Sequence, residues 1–486
     1  MENKFLNGMT TETNWKFTEN GADALKSTRD SLLDLFGTIG ALRSRSDEDV
    51  EQTFMKAYNE DNLLALKMLF YARNIRGGLG ERKVFKTILR WIAERNSAHV
   101  VINFDNIAKF GRWDDFYAFV ETSIEALAFN YMNAQFRADL FGLEQGRPIS
   151  LLGKWLKSAN SHSLETRNLG LLTAKYFEIG ERQYRKSLTA IRKALGVTEV
   201  FMSKNAWETI NYVTVPSKAM SNYHNAFRLH DEERFNAFLT KVESGEVAIK
   251  ATTLYPYDLV EKYMNGVNDD RTIEAQWKAL PNYVEGENNF MVMADVSGSM
   301  TGRPMATSVG LAIYFAQRNH GPYQNKFMTF STNPEFVTLK GKTLRDNVSE
   351  TMCANWNQST NIEAAFNLIL KVAVDNKLAQ SDLPKSLIII SDMEFDSANG
   401  SSRTTYFDHL TTKYANAGYE LPTVVFWNVD ARQDTFHAQV SQKGVQFISG
   451  QSASAFKSLI KGVEFSAYEL MLETLNDPMY DSVRIQ

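Results

Sequence analysis

Pro281 divides the chain into two hydrophobic patterns, and that change constrains the fold more than any other feature of the 486 residues. Before it, from about residue 47, apolar residues recur at helical spacing: Leu63, Leu64, Leu66, Leu69 and Phe70, then Val84, Phe85, Ile88, Leu89 and Ile92. Spacings of three and four put such side chains on one helix face, and no alternating strand pattern intrudes. After it come short apolar runs, NFMVMA, NKFMTFS, SLIIISD, LPTVVFWNV and VQFIS, with helical segments at about 303–319, 361–377 and 403–417 between most of them. Strands covered on both faces and alternating with helices predict a doubly wound, Rossmann-like sheet. The expected fold is multidomain α + α/β, because a chain this long exceeds what one core usually holds. Residues 1–46 form a loosely attached N-terminal arm with one apolar helical run around Ala24–Leu42. Residues 47–281 form a helical, HEAT or solenoid-like region without a repeat of fixed period. A sheet domain spans 282–465, and a C-terminal helix and tail spans 466–486.

Composition excludes several classes. With 44% hydrophobic and 23% charged residues the chain is an ordinary globular protein. The opening MENKFLNGMTTETNWK has no apolar signal region, and no run approaches the roughly 18 apolar residues of a membrane span, so a cytoplasmic protein is expected. Its single cysteine, Cys353, agrees, and the seven histidines show no zinc spacing. Net charge is −4, yet residues 62–230 carry 24 Lys and Arg against 14 Asp and Glu, which leaves about −14 on the remainder. A helical half with that surplus steers anionic polymers toward itself; a solvated basic face is the plainer alternative.

The run NFMVMADVSGSM ends in Asp-x-Ser-x-Ser, which places Asp295, Ser297 and Ser299 at the end of a strand and in a glycine-containing turn. Three hard oxygens suit a hard divalent cation. Thr360, before an amphipathic helical run, and Asp392, closing SLIIISD, fall at further strand or loop ends. Ligands of open α/β sheets bind beyond the carboxyl ends of the strands, where Asp295 and Asp392 stand. The alternative is that Asp295 caps helix 303–319 and the serines are turn residues. In chain order the five residues resemble the metal-ion-dependent adhesion site (MIDAS) of a von Willebrand factor A (vWA) domain. That resemblance implies that the site holds Mg2+ or Mn2+, that Ser297, Ser299 and Thr360 touch the ion, that Asp295 and Asp392 act directly or through water, and that one position stays open. The usual Gly-Gly-Thr is replaced here by Gln358-Ser359-Thr360.

Three segments of the helical half carry chemistry. In FYARNIRGGLGERKVF, Arg73, Arg76, Arg82 and Lys83 surround Gly77, Gly78 and Gly80. Glycine-turn amides leading into a helix can hold a phosphate, or the turn can be a plain helix terminus. In ERQYRKSLTAIRKAL, Arg182, Arg185, Lys186, Thr189 and Lys193 oppose Leu188, Ile191 and Leu195. Such a stripe can track a phosphate backbone or simply face solvent. The third segment mixes Lys204, Lys218, His224 and Arg228 with Trp207, Tyr212 and Tyr223, aromatics that stack on bases if exposed and build core if not. Arg112 of KFGRWDDF completes the candidate nucleic-acid residues.

IRGGLGER, KFGRWDDF, LTAIRKALGVTEVFMSKNAWETINYVTVPSKAM, LYPYDLV, MADVSGSM and IIISDMEFD together resemble a widespread uncharacterised family of plants, fungi, bacteria and phages. Its members pair a helical N-terminal region with a C-terminal vWA domain. The architecture is distantly similar to the Ro autoantigen (TROVE) proteins, in which a helical-repeat ring closed by a vWA domain binds small noncoding RNA. The resemblance implies a Ro-like scaffold holding small or single-stranded RNA. The competing expectation is a metal-dependent adaptor whose protein partner offers a carboxylate to the ion. Neither is an enzyme: Ser297 stands where an Asp-x-Asp phosphatase needs its second aspartate, and no Gly-x-Ser-x-Gly elbow is present.

Overall fold

The computed structural model describes residues 9–10, 13–268, 270–284, 289–329, 334–354, 361–396, 406–461 and 465–485. A helical N-terminal region precedes a mixed sheet whose strands are mostly parallel. The elements used below are the hairpin β1 (Trp15–Phe17) and β2 (Asp23–Leu25), then α1 (Ser31–Phe36), α2 (Asp47–Glu60), α3 (Asn62–Arg73), α4 (Lys83–Arg95), α5 (Glu181–Ala194), α6 (Ser217–His230) and α7 (Pro256–Met264). The sheet region supplies β3 (Phe290–Ala294), α8 (Arg303–Arg318), β4 (Lys326–Thr329), β5 (Phe336–Thr338), α9 (Ile362–Asp375), β6 (Ser386–Ser391), β7 (Thr423–Asn428) and β8 (Val445–Ser449). The helix α10 (Ala467–Leu475) follows.

Strand order is β5-β4-β3-β6-β7-β8, with β5 antiparallel at one edge and every other pairing parallel. β3 lies wholly buried and β6 nearly so, as their continuous apolar runs require. From β3 the chain moves outward to β4 and β5, then returns to β6 on the other side, so the direction of winding reverses between β3 and β6. A crevice opens beyond the carboxyl ends at such a switch point.

One hydrophobic core runs from Ala22 through the helices and sheet to Val483, and a smaller one around Phe227 and Phe235 serves the end of the helical region. Helix α7 packs against α8 so closely that a Cβ on Gly310 would lie 3.0 Å from the Tyr257 amide.

The arm, expected to be loose, is stitched to the sheet region. Thr18 Oγ1 donates to the Phe395 carbonyl at 2.6 Å, Lys16 Nζ to Gln433 Oε1 at 2.9 Å, and Leu25 exchanges backbone bonds with Phe436. The helical run expected around Ala24–Leu42 is cut short because Arg29 takes a left-handed φ of 73° and Asp30 caps α1. Past α10 the chain returns to the helices, where Asn103 and Asn106 donate to the carbonyls of Arg484 and Ser482. No described helix is long and apolar enough to cross a membrane.

Candidate metal centre and basic groove

Asp295 directly follows β3, and its amide donates to the Ile390 carbonyl of β6 at 3.0 Å, which holds it at the switch point. The chain then turns tightly. Asp295 Oδ1 accepts the Ser297 amide at 2.8 Å, and a short 3-10 turn over Gly298–Met300 brings Ser299 Oγ to 3.1 Å from Ser297 Oγ. The N-cap of α8 is Gly302, at φ 89°, and carries no side-chain bond, so Asp295 does not cap that helix.

Asp392 follows β6 in the same way. Its Oδ1 accepts the Glu394 amide at 3.2 Å, and Met393 between them takes a left-handed φ of 69°, an uncommon conformation for a non-glycine residue that recurs at functional sites. Ser391 Oγ donates to Asp295 Oδ2 at 2.7 Å and ties the two strand ends together. Both aspartates are buried, and burial together with the Asp392 charge pushes Asp295 up to about 6. Two carboxylates forced this close favour a cation between them, and the donors are all hard oxygens that Mg2+ or Mn2+ prefers. The residues present are chemically compatible with a divalent ion, which Asp295, Ser297, Ser299 and Asp392 could hold. Thr360 lies outside the described residues. No group of three or more His, Cys, Asp or Glu gathers among those residues, so hydroxyls must complete any such set.

Arg432 is the neighbour that the strand patterns did not reveal. It stands just past β7, and its Nη2 lies 2.8 Å from Asp392 Oδ2 and 3.1 Å from Glu19 Oε2. Its signal was available, since it too follows the carboxyl end of a central strand.

The basic residues of the helical half separate into two kinds. Arg73 is buried, with Nε 2.8 Å from Asp115 Oδ2, so it belongs to the core and cannot meet a nucleic acid. Arg112 forks onto Asp114 at 2.7 and 2.8 Å and lies over the Trp155 ring. Lys218 pairs with Asp258 at 2.6 Å, Arg228 lies 3.8 Å from Asp270, and Lys83 donates to the Arg45 carbonyl. Arg76, Arg82 and Lys204 are exposed.

The glycine turn does not offer its amides to a phosphate. Those of Gly78 and Gly80 donate to the Asn74 carbonyl, Leu79 to Tyr71, Glu81 to Ala72, and Arg76 and Gly77 to Asn74 Oδ1. The turn closes back on α3 and locks to the sheet region through Ser454 Oγ, which donates to the Gly78 carbonyl at 2.9 Å. The aromatics divide: Tyr212 is buried, while Trp207 and Tyr223 are half-buried against the smaller core, with Trp207 stacked on His230 at 4.4 Å, and His224 is buried against Asp270.

On α5 the stripe survives. Arg182, Arg185, Lys186 and Thr189 are exposed and, with Arg192, Ser158 and Asn160, line a groove of about 470 Å³; Glu181 stands at its edge, with Oε1 3.4 Å from Arg185 Nε. Arg192, seven residues beyond Arg185 on the same face, was not among the expected residues. It is held rigid by the carbonyls of Gly153 and Leu156 and by Ser158 Oγ, at 2.6 to 2.9 Å. Lys193 is exposed beside the groove but does not line it.

A helical body fused to a mostly parallel sheet, with acidic strand ends at its switch point, defines the class of protein. The family DUF2828, a domain of unknown function, matches residues 18–137 and 148–289, and the chain belongs to it. A second domain of unknown function, DUF7788, matches residues 289–481 and so begins where the sheet begins. The chain is also 28% identical over 514 residues to "Uncharacterized protein L728" of Acanthamoeba polyphaga mimivirus, covering 97% of this chain and 89% of the relative.

Proposed function

We propose that this chain is a cytoplasmic, Ro-like RNA-binding scaffold whose helical half holds small or single-stranded RNA and whose sheet region is a vWA domain carrying Mg2+ or Mn2+. The observation that supports RNA most directly is the α5 groove, where four cations and three hydroxyl or amide side chains face one concave surface, against the single carboxylate of Glu181 paired to Arg185. Phosphodiesters need that combination of charge and fixed donors, and Arg192 is already immobilised to supply it. The vWA reading rests on the strand order with its antiparallel edge and on the meeting of Asp295, Ser297, Ser299 and Asp392 at the switch point. The reading assigns no catalytic chemistry. It is tested by sequencing nucleic acid that copurifies with the tagged protein and by filter binding of RNA across a salt series. Retention that falls steeply with salt supports it; no retention at low salt rejects it.

A second reading, a metal-dependent adaptor that binds a partner's carboxylate and no RNA, is favoured by the convergence of the metal residues alone. Partner capture that tolerates salt and is abolished by a chelator would favour it.

A further inference from the structure

The Asp392 carboxylate already has a cation. Arg432 Nη2 lies 2.8 Å from Oδ2, and the other oxygen, Oδ1, accepts the Glu394 amide. The Asp392 side chain is fully buried, whereas the Arg432 side chain is 31% exposed, so the arginine reaches in from the rim and has room to withdraw. Two further carboxylates wait beside it: Glu19 Oε2 at 3.1 Å from Nη2, and Asp430 Oδ2 at 3.9 Å from Nε. Neither sits at random. The Glu19 amide donates to Glu394 Oε2 at 2.6 Å, which fixes the arm beside the site, and Asp430 Oδ1 accepts Ser44 Oγ at 2.6 Å. The segment carrying Arg432 is gripped from both sides, by Lys16 on Gln433 and Thr435 and by Arg45 on the Ala431 carbonyl and Asp434.

We propose that Arg432 is a built-in competitor for the divalent cation, which must be handed from Asp392 to Glu19 and Asp430 for an ion to be held. The inference rests on the divalent-cation reading of Asp295, Ser297, Ser299 and Asp392. A dication and a guanidinium on one buried carboxylate repel each other strongly where water is scarce. The ion therefore binds more weakly than its oxygen donors alone would allow, and the N-terminal arm, through Glu19, takes part in setting that affinity. The chemistry makes the site one that fills only at high free Mg2+ or Mn2+, with the arm as its adjuster.

Calorimetric titration of the full chain with Mg2+ and with Mn2+ tests this in the wild type, Arg432→Gln, Glu19→Gln and the double variant. Arg432→Gln should bind on the order of tenfold more tightly. Glu19→Gln should bind more weakly than the wild type yet change nothing in the Arg432→Gln background, because there is then no guanidinium to receive. If the wild type binds and Arg432→Gln binds equally or less well, the competitor is refuted and the cation reading stands. An equal Glu19→Gln effect in both backgrounds refutes the hand-over. Binding that appears only in the two variants lacking Arg432 supports the proposal, and absence of binding in every variant rejects the cation reading and this inference together. Should Arg432→Gln fail to fold, Arg432→Met replaces it: the apolar stem keeps the packing and removes the positive charge from Asp392, so tighter ion binding is expected and weaker binding overturns the proposal.

Discussion

The Arg73 guanidinium lies against the Asp115 carboxylate with both side chains shut away from water, Nε 2.8 Å from Oδ2. The pair joins two of the sequence's most distinctive segments, FYARNIRGGLGERKVF and KFGRWDDF, through helix α3 and the 3-10 helix Trp113–Phe119. Without Arg73 the buried Asp115 keeps only the Arg112 amide and Lys86, whose Nζ is 3.7 Å from Oδ1, and breaking a buried pair in this way typically costs up to about 3–5 kcal/mol. Arg73→Ala should therefore lower the urea midpoint sharply while RNA affinity per folded molecule stays the same. Loss of RNA affinity at unchanged stability would contradict the buried placement.

Asp295 bears the cost of burial beside Asp392, seen in its rise from 3.8 to about 6. At pH 7.5 Asp295→Asn should abolish Mg2+ and Mn2+ binding by calorimetry. In the presence of chelator it should also stabilise the protein by about 1–3 kcal/mol, since the neutral side chain no longer pays for desolvation. That gain should fade as pH falls through 6 toward 4, where Asp295 itself becomes protonated. Denaturant curves at pH 7.5 and 5 check the sign.

Charge reversal at Arg185 and Lys186 should weaken RNA binding across unrelated sequences and flatten its salt dependence, because phosphate contacts carry no base information. Filter binding from low to moderate salt reads both. Reversal at Arg82, which lines no part of the groove, is the control and should leave affinity nearly unchanged.

Gly80 holds φ at +68°, and a Cβ there would fall 1.6 Å from the Tyr255 hydroxyl oxygen of the segment entering α7. Gly80→Ala should cost at least about 2 kcal/mol, combining the left-handed backbone with the clash. Tyr255→Phe in the same chain should recover part of the loss. No recovery in thermal melts would assign the whole cost to the backbone.

Burial pushes Asp270 up, but bonding and charge from His224 and the amides of Ile273 and Thr272 outweigh it and bring the group down to about 2. A carboxylate lowered in this way adds stability above its unfolded value near 4, and loses it as pH falls from there through 2. Asp270→Asn, which keeps the helix cap on Arg271–Lys278, should cost about 1–2 kcal/mol at pH 7 and progressively less below pH 4. A pH-independent difference would assign the effect to capping alone.

How much of this was legible in the sequence depends on the range of the interaction. β3 and β6 announced themselves because each is a continuous apolar run, and Asp295 and Asp392 could be placed at their ends for the same reason. β5 did not, since Phe336–Thr338 is short and leaves Phe336 and Thr338 exposed, so no buried run marks it. Glycines 77, 78 and 80 signalled a turn, but a turn in sequence does not say where its amides point, and here they are spent on α3. Arg73 looked like any surface arginine because Asp115 lies 42 positions away. Arg432 and Glu19 come from opposite ends of the chain, and nothing local in either segment indicates the other.

The return of residues 476–484 to the helices also sets a timetable. Asn103, Asn106 and Lys109 receive their partners from Met479, Ser482 and Arg484, and Asn74 meets Tyr480. At about 5–20 residues per second, ribosomal synthesis takes roughly 20–80 seconds to travel from the first of these groups to the last. Through that interval the early helices stand with an uncovered seam, held open for a segment not yet made. These polar groups of the helical half are therefore paired last of all, by the most distant residues of the chain.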